Sequence, residues 1–254
     1  MIKKVFQFRW NNISLLILVK LLSSLYFYTP YMTLFFLARG FNYVQINSIW
    51  GIVVFTMFIH KLSAGIFADR FGQHRAVQAA IFFQFIGELL FLFITDYWLL
   101  VIDAIIAGIG FAFGSGALEA LIYNQLKQEN REYEMNKFMG RINGAGYIGF
   151  ILSFSFSGLL VPQADQANIS TAIMATVIAV GLGFLITFFL KPSPEHYEEI
   201  TDRPSPVALF TEGLTLLRNN RTLQRLALMS VLTIVFWDYL INLYKPYFQK
   251  ILVP

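Results

Sequence analysis

Three ionisable side chains interrupt long apolar stretches of this sequence, and these residues are well placed to do chemistry. Lys20, Glu88 and Asp103 each have mostly apolar neighbours on both sides. A charge at the centre of a bilayer costs at least about 2.5–3.5 kcal/mol, so each of them needs a partner or a function. A carboxyl group there can accept and release a proton, and either Glu88 or Asp103 is a candidate to carry one. For Lys20, snorkelling to the membrane surface is the simpler alternative.

The composition indicates that lipid surrounds most of the chain. The 254 residues are 57% hydrophobic and only 13% charged, whereas soluble domains carry about 25% charged residues. So little charge cannot cover a soluble globule, and it also excludes disordered chains, coiled coils and nucleic-acid-binding modules. We therefore expect the lipid bilayer as a partner and no nucleic acid. The sequence has no cysteine, which excludes disulfides, thiolate metal sites and cysteine nucleophiles, and we expect no cofactor.

Seven segments are long and apolar enough to cross the hydrocarbon core, which needs about 20 helical residues. They lie at 13–37, 44–67, 76–94, 97–123, 138–162, 169–190 and 226–250. Helices are the suitable elements, because an open sheet would leave backbone groups unpaired in lipid. The predicted fold class is therefore an all-α membrane protein.

Basic residues mark one side of the predicted bundle. With the N-terminus inside, fourteen of the nineteen lysines and arginines fall in cytoplasmic segments, as the positive-inside rule requires. This distribution predicts a multi-pass protein of the cell (cytoplasmic) membrane. Its N-terminus is expected to be cytoplasmic and, after seven spans, its C-terminus external.

Segment lengths predict three regions. Residues 1–190 form a six-helix transmembrane bundle, and 191–225 form a polar, proline-bearing cytoplasmic linker. Within the linker, 207–223 places apolar residues on one face and predicts an interfacial helix, with a solvated linker helix as the alternative. Residues 226–254 supply a seventh span, the first helix of an incomplete C-terminal bundle.

The most specific motif lies between the second and third spans, where the sequence reads GIFADRFGQHR from Gly65 to Arg75. Gly65 lets another helix approach closely, and Gly72 allows a tight turn. Asp69, at a helix end, can face an arginine or the positive N-terminus of another helix. Arg70 and Arg75 stay in water and pair with carboxylates. The plainer interpretation is a turn rich in positive charge, in which Asp69 only adds solubility.

This motif closely resembles the G-x-x-x-D-R-x-G-x-x-R signature of the major facilitator superfamily, in the loop where that family keeps it. The segments 114–119 and 140–144 are similar to those of bacterial drug exporters in the family. The resemblance implies an MFS-type six-helix half made of two inverted three-helix repeats. It also implies a missing C-terminal half, so that the chain is expected to be a fragment or the product of a truncated gene. Asp103 departs from the pattern, because many exporters have an arginine ahead of the glycine-rich run in span four.

The resemblance also implies roles for particular residues. An inner gate is expected from a cytoplasmic charge cluster that breaks when the inside opens. Its members would be Asp69, Arg70, Arg75, Glu119 and Arg141, with Gly65 and Gly72 shaping the loop. Independent snorkelling side chains are the alternative.

The central cavity is expected to be lined by residues of spans one, four and seven. Lys20 lies on a helix that lines the cavity in the family, and it can meet Glu119 or an anionic group of a substrate. Asp103 is a better candidate for proton coupling than Glu88, because span three is peripheral in the family. Asp238 lies near the middle of span seven, the depth of substrate sites in such transporters.

Aromatic residues form a second group of cavity candidates. Tyr26, Tyr28 and Tyr31 bracket Pro30 in span one. A kink with an aromatic wall would suit a flat, lipophilic solute. Contacts with lipid are the alternative.

The sequence therefore predicts a secondary transporter that moves a small solute by alternating access, through proton-coupled efflux of an amphiphilic compound or drug. An uptake permease for a small metabolite and a truncated, non-transporting membrane fragment are the alternatives. No ATP-binding loop, zinc-protease motif or nucleophile elbow occurs, so we expect no enzyme activity. A retinal protein using Lys245 is opposed by the orientation and by the position of that lysine near the outer surface.

Overall fold

The computed structural model describes residues 12–192, residue 211 and residues 215–226, 228–229 and 232–233. The chain divides into two units, 1–195 and 196–254. In the described part of the first unit every regular element is a helix. The predicted all-α fold is therefore confirmed. Asp238 and Lys245 lie outside the described residues.

Eight α-helices form the described part of the first unit. They are α1 (Asn12–Leu22), α2 (Met32–Ala38), α3 (Tyr43–Phe71), α4 (Gln73–Phe91), α5 (Tyr97–Gly114), α6 (Ala117–Gln128), α7 (Met135–Leu160) and α8 (Gln166–Thr187). Short 3-10 turns, Thr29–Tyr31 and Glu132–Glu134, precede α2 and α7. The α3–α4 turn at Gly72 marks one end of the bundle and the α4–α5 turn at Ile94 the other. We call them the Gly72 end and the Ile94 end.

Length and composition make several of these helices suited to a membrane. The segments that qualify among the described residues are Tyr43–Phe71, Tyr97–Gln128, Glu132–Leu160 and Gln166–Thr187. α3 exposes a continuous apolar face, made of Val54, Phe55, Phe58, Ile59, Leu62 and Ile66. Such a surface fits lipid or another apolar partner better than water.

The prediction of one continuous helix for span one is wrong. α1 ends at Leu22, and helical structure resumes only at Thr29–Tyr31, ahead of α2. Ser23 donates its hydroxyl to the Lys20 carbonyl oxygen at 3.3 Å, a local bond that competes with helical ones. Pro30 lies in the first turn of the second piece, where its missing N–H costs nothing. The predicted kink is therefore an interruption that begins several residues before the proline.

Span four is also broken, at Ser115 and Gly116, whereas the sequence predicted one helix over 97–123. Gly116 has a φ of +86°, in the left-handed region that favours glycine. The chain leaves α5 there and enters α6, which continues to Gln128. Glu119 therefore lies in the first turn of a new helix rather than near the end of a long one.

The helices pack in a pattern that repeats when the first three spans are exchanged for the next three. Span one is α1 with α2, and span four is α5 with α6. Span two (α3) packs on α5 of span four, and span five (α7) packs on α1 of span one in the same way. Likewise, span three (α4) packs on α5 and span six (α8) packs on α1. Spans three and six also pack on each other. Because three is an odd number of crossings, the second repeat runs in the opposite direction to the first. This pairing is that of two inverted repeats.

Close backbone contacts join the two repeats at related places. A Cβ atom added at Gly149 of α7 would lie 2.5 Å from the Leu21 carbonyl oxygen of α1. One added at Gly108 of α5 would lie 2.7 Å from the Val53 carbonyl oxygen of α3. Helices approach this closely in membranes where a small residue removes the side chain between them.

Two apolar clusters form the core. The cluster at the Gly72 end is centred on Leu16, Leu121 and Ile142, and the cluster at the Ile94 end on Phe35 and Ile173. Polar side chains buried in this bundle, including Thr176 and Glu88, are therefore exceptions that need a structural or functional reason.

In the second unit, residues 215–219 and 221–226 are helical and Asn220 between them is not. The Asn220 side chain accepts from the Thr222 N–H at 3.0 Å and the Leu223 N–H at 3.2 Å, as an N-cap does. The predicted helix over 207–223 is therefore interrupted at Asn220. Most of the predicted seventh span lies outside the described residues.

Candidate functional site

The break in span one is held by polar side chains of two other helices. Gln84 Nε2 of α4 donates to the Ser23 carbonyl oxygen at 2.8 Å and to the Tyr26 hydroxyl at 2.7 Å. The Phe27 backbone N–H donates to Thr176 Oγ1 of α8 at 3.1 Å. Backbone groups released by a helix break find no water inside a membrane, so these side chains replace the lost helical partners.

Two carboxyl groups, Glu88 of α4 and Asp103 of α5, lie beside this break. Glu88 is 8% exposed, and its Oε1 accepts from the Tyr28 hydroxyl at 3.3 Å. Its other oxygen, Oε2, is buried and has no hydrogen-bond partner in the described part of the chain. Asp103 Oδ1 lies 3.4 Å from where a Cβ at Gly87, the residue before Glu88, would stand. The structure therefore brings Asp103 next to the turn of α4 that carries Glu88.

Lys20 lies on α1 and extends along α7. A Cβ at Gly146 would lie 3.0 Å from the Lys20 Cε atom, so the stem of the lysine rests on that glycine. Within residues 12–192, no ion pair joins its ammonium to Glu119, which is one of the partners that the sequence suggested. Lys20 is half-buried and lies next to the span-one break.

The tyrosines of span one face other parts of the bundle. Tyr28 stacks on Phe91 of α4 with ring centres 4.8 Å apart, and Tyr26 meets the Tyr28 ring edge-on at 6.3 Å. Tyr31 packs against the cluster at the Ile94 end. Lipid contact does not account for Tyr26 and Tyr28, because both have partners inside the bundle.

The motif from Gly65 to Arg75 lies at the Gly72 end, where one residue makes the α3–α4 turn. Gly72 has a φ of +92°, which favours glycine. A cavity of about 210 Å³ opens nearby, and its lining includes Gly65, Asp69, Ser115 and Gly116. Asp69 and the amino end of α6 thus share a cavity, a favourable placement for a carboxylate. No described atom of another helix lies within 4 Å of a Cβ at Gly65, so the close approach of another helix there stays a prediction.

The other predicted gate residues lie on separate elements at this end. Arg70 and Arg75 flank the turn, Glu119 lies on α6 and Arg141 on α7, and all four are exposed. Among the described residues, no ion pair joins Glu119 to any of these arginines. The Arg70 and Arg141 guanidinium groups each lie 5.4 Å from the ring centre of a phenylalanine.

A different charge cluster forms in the loop that precedes α7. Arg131 pairs with Glu129 at 2.8 Å and also with Glu134, and Lys137 pairs with Glu134 at 2.7 Å. Hydrogen bonds from Lys137 and Arg131 hold the pKa of Glu134 below its ordinary value. Sequence reasoning missed this cluster, although charges three residues apart on a helical turn are a visible signal.

Arg39 ties together three segments at the Ile94 end. It donates from Nη1 to the Ile94 carbonyl oxygen, and its guanidinium carbon lies 3.9 Å from the Phe35 ring centre. With the Gln166 amide assigned in its flipped orientation, the amide oxygen accepts from Arg39 Nη2 and Nε at 3.3 Å. Desolvation lowers the pKa of Arg39 from its ordinary value. The loop after α2, the α4–α5 turn and the start of α8 are therefore linked through one side chain.

Gln84 and Thr176 are the site residues that sequence reasoning missed. For Gln84 a signal existed, because it precedes Glu88 by four residues and so shares a face of α4 with it. Thr176 gave no such signal, since isolated threonines in apolar helices usually bond only to their own backbone.

These features define a class of protein. A helical membrane protein built from two inverted three-helix repeats, with a discontinuous first span in each repeat, has the architecture of a secondary transporter. A family model described as Major Facilitator Superfamily matches residues 15–252. The chain therefore belongs to the Major Facilitator Superfamily and is a multi-pass membrane transporter, as the motif predicted. A search of curated proteins finds no match.

Proposed function

We propose that this protein exports an amphiphilic small molecule across the cytoplasmic membrane in exchange for protons, by alternating access. The discontinuous spans one and four carry the proposal. Interrupted helices supply the substrate and ion sites of many secondary transporters, because their unwound backbone and polar groups are available within the membrane. In this chain each interrupted span is the first span of an inverted repeat, so the two spans occupy equivalent positions in the bundle.

The residues around the span-one break support both parts of this function. Tyr26 and Tyr28 combine apolar rings with hydroxyl groups, which suits a solute with an apolar body and a polar group. The buried Glu88 carboxyl group and the half-buried Asp103 beside them support proton coupling. Uptake of a small metabolite is the second candidate, favoured by Lys20, whose ammonium would hold an anionic group.

Transport in everted membrane vesicles tests this proposal. Cells that express the gene's complete reading frame supply the vesicles, and vesicles from cells without the gene are the control. With an acid lumen, ethidium should accumulate inside, and a protonophore should abolish the accumulation. Accumulation that survives the protonophore would contradict proton coupling. Uptake of a labelled organic anion by right-side-out vesicles, without ethidium transport, would instead support the metabolite permease.

The proposed inner gate lies at the Gly72 end, which we take to face the cytoplasm. It consists of Asp69, Arg70, Arg75, Glu119 and Arg141. The shared cavity of Asp69 and the amino end of α6 supports this assignment. Because carboxylate–arginine contacts would hold the inside closed, weakening one of them should favour opening.

Replacing Glu119 with glutamine is therefore expected to open the cytoplasmic side more often. The chain has no cysteine, so a single reporter thiol at Ala64→Cys, in the cavity lining, can be alkylated selectively. An impermeant maleimide applied from the cytoplasmic side should label it several-fold faster in E119Q than in the parent. E132Q, in the loop before α7, is the matched control and should label at the parent rate. Slower labelling in E119Q would contradict the gate.

A further inference from the structure

We infer that Glu88 and Asp103 form a binding site for one proton, built against the break in span one. Its role in transport rests on the proton coupling proposed above. Its existence rests on the position of the two carboxyl groups and on what surrounds them. The site lies inside the first unit and is separate from the exposed charges at the Gly72 end.

Hydrogen bonding at Glu88 favours a neutral carboxyl group. The side chain is 8% exposed, and Oε1 has a donor in the Tyr28 hydroxyl. Oε2 has none within the described part of the chain. A buried charged oxygen without a donor is costly, whereas a proton on that oxygen turns it into a donor. The Asp103 carboxyl group lies beside the same turn of α4.

Within residues 12–192, no cation compensates the two carboxyl groups, because neither Glu88 nor Asp103 forms an ion pair with a lysine, arginine or histidine. Two negative charges at close range inside a membrane repel each other, and one shared proton removes that repulsion. Proton binding therefore does here what a basic residue does in an ordinary buried ion pair.

The elements that pack on α4 and α5 bring few other ionisable groups to this place. The span-one segment brings Tyr26 and Tyr28. α8 contains no ionisable side chain, and neither do residues 44–59 of α3. The next ionisable residues of α3 are His60, whose Nδ1 lies 2.9 Å from the Thr56 carbonyl oxygen, and the exposed Lys61. α6 meets α4 where the Asn124 side chain donates to Gln73. That residue is fifteen positions from Glu88, or about 22 Å along the helix.

Occupancy of this site is coupled to the span-one break. Tyr28 bonds to Glu88, and it belongs to the interrupted segment that also holds Tyr26 and Phe27. A change of charge on the carboxyl pair alters the bond that Tyr28 makes. Proton loss can thus reach α2 and the Ile94 end through Tyr28, which lies between the two helical pieces of span one.

Carbodiimide labelling tests the site without requiring transport. Dicyclohexylcarbodiimide partitions into apolar regions and reacts with protonated carboxyl groups, and mass spectrometry locates the adduct. In the full chain reconstituted in liposomes at neutral pH, we expect at most one adduct on the pair, and labelling that falls as the pH rises. The exposed Glu129 in the same protein, which pairs with Arg131, should remain unlabelled. E88Q should lose the adduct at that position, while Y28F should keep it.

Two results would overturn the inference. One is the absence of an adduct on Glu88 and Asp103 from acid to neutral pH. The other is an identical pH profile of Glu88 labelling in wild type and D103N, which would show that the two groups do not share a proton. If efflux is proton-driven but neither carboxyl group is labelled, the proton site is rejected and the proposed function is not. If the pair is labelled but efflux is not proton-driven, the proposed proton coupling is rejected and the site is not.

Discussion

Replacing Gly149 with alanine is expected to destabilise the bundle by about 1–3 kcal/mol, the cost of overpacking a tight contact. The added Cβ would lie 2.5 Å from the Leu21 carbonyl oxygen and 3.3 Å from the Ser24 Cβ. The first of these atoms is backbone, so no rotamer change can relieve the clash. α1 would have to move away from α7, and with it the end of α1 that precedes the span-one break.

Gly158 offers a matched control on the same helix. It is exposed, and nothing lies within 4 Å of a Cβ at that position. G158A should therefore be neutral or stabilise α7 by up to about 1 kcal/mol, since alanine is the better helix former. Both variants can be unfolded by SDS in mixed micelles and followed by circular dichroism. Equal unfolding midpoints for G149A and G158A would show that α1 and α7 do not pack as described.

Replacing Thr176 with valine is expected to cost about 1–3 kcal/mol, because it leaves a part-buried backbone N–H without its acceptor. The Thr176 side chain is 0% exposed, and its Oγ1 accepts from the Phe27 N–H at 3.1 Å. Valine has nearly the same shape but no oxygen, so the Phe27 N–H in the span-one break would lose its partner.

Replacing Thr171 with valine is the control: it removes a threonine from the same helix without removing a hydrogen bond to span one. On the same helix, Thr171 Oγ1 donates to the carbonyl four residues earlier at 3.1 Å, as Thr176 Oγ1 does to Ala172. Only Thr176 also accepts from span one. T171V should therefore change stability by no more than about 0.5 kcal/mol. If the two valine variants are equally stable, the Thr176 bond contributes nothing to holding the break.

The membrane class, the helical fold and the family could all be predicted from the sequence. Apolar length and low charge reflect the solvent around each segment, and that information is local. The motif around Asp69 and Gly72 is local as well, because a helix end and a one-residue turn depend on neighbouring residues.

The two breaks could not be predicted in the same way. In span one, residues 23–28 are as apolar as a helix interior would be, apart from two serines. They leave the helix only where Gln84 and Thr176 supply hydrogen bonds from distant parts of the chain. Pro30 indicated a disturbance but placed it several residues too late. The Gly116 break had a clearer signal in its glycines, yet hydropathy alone joined α5 and α6 into one span.

For Glu88 and Asp103, too, one part could be predicted from the sequence and another part required the structure. The sequence by itself determined that each is a carboxyl group within an apolar helix, because that depends only on neighbours along the chain. Only the tertiary structure decided that Asp103 lies beside the turn of α4 that carries Glu88, because residues fifteen positions apart come together through the packing of α4 on α5. Local composition determines which solvent a segment prefers, whereas contacts between helices determine which polar groups become partners inside it.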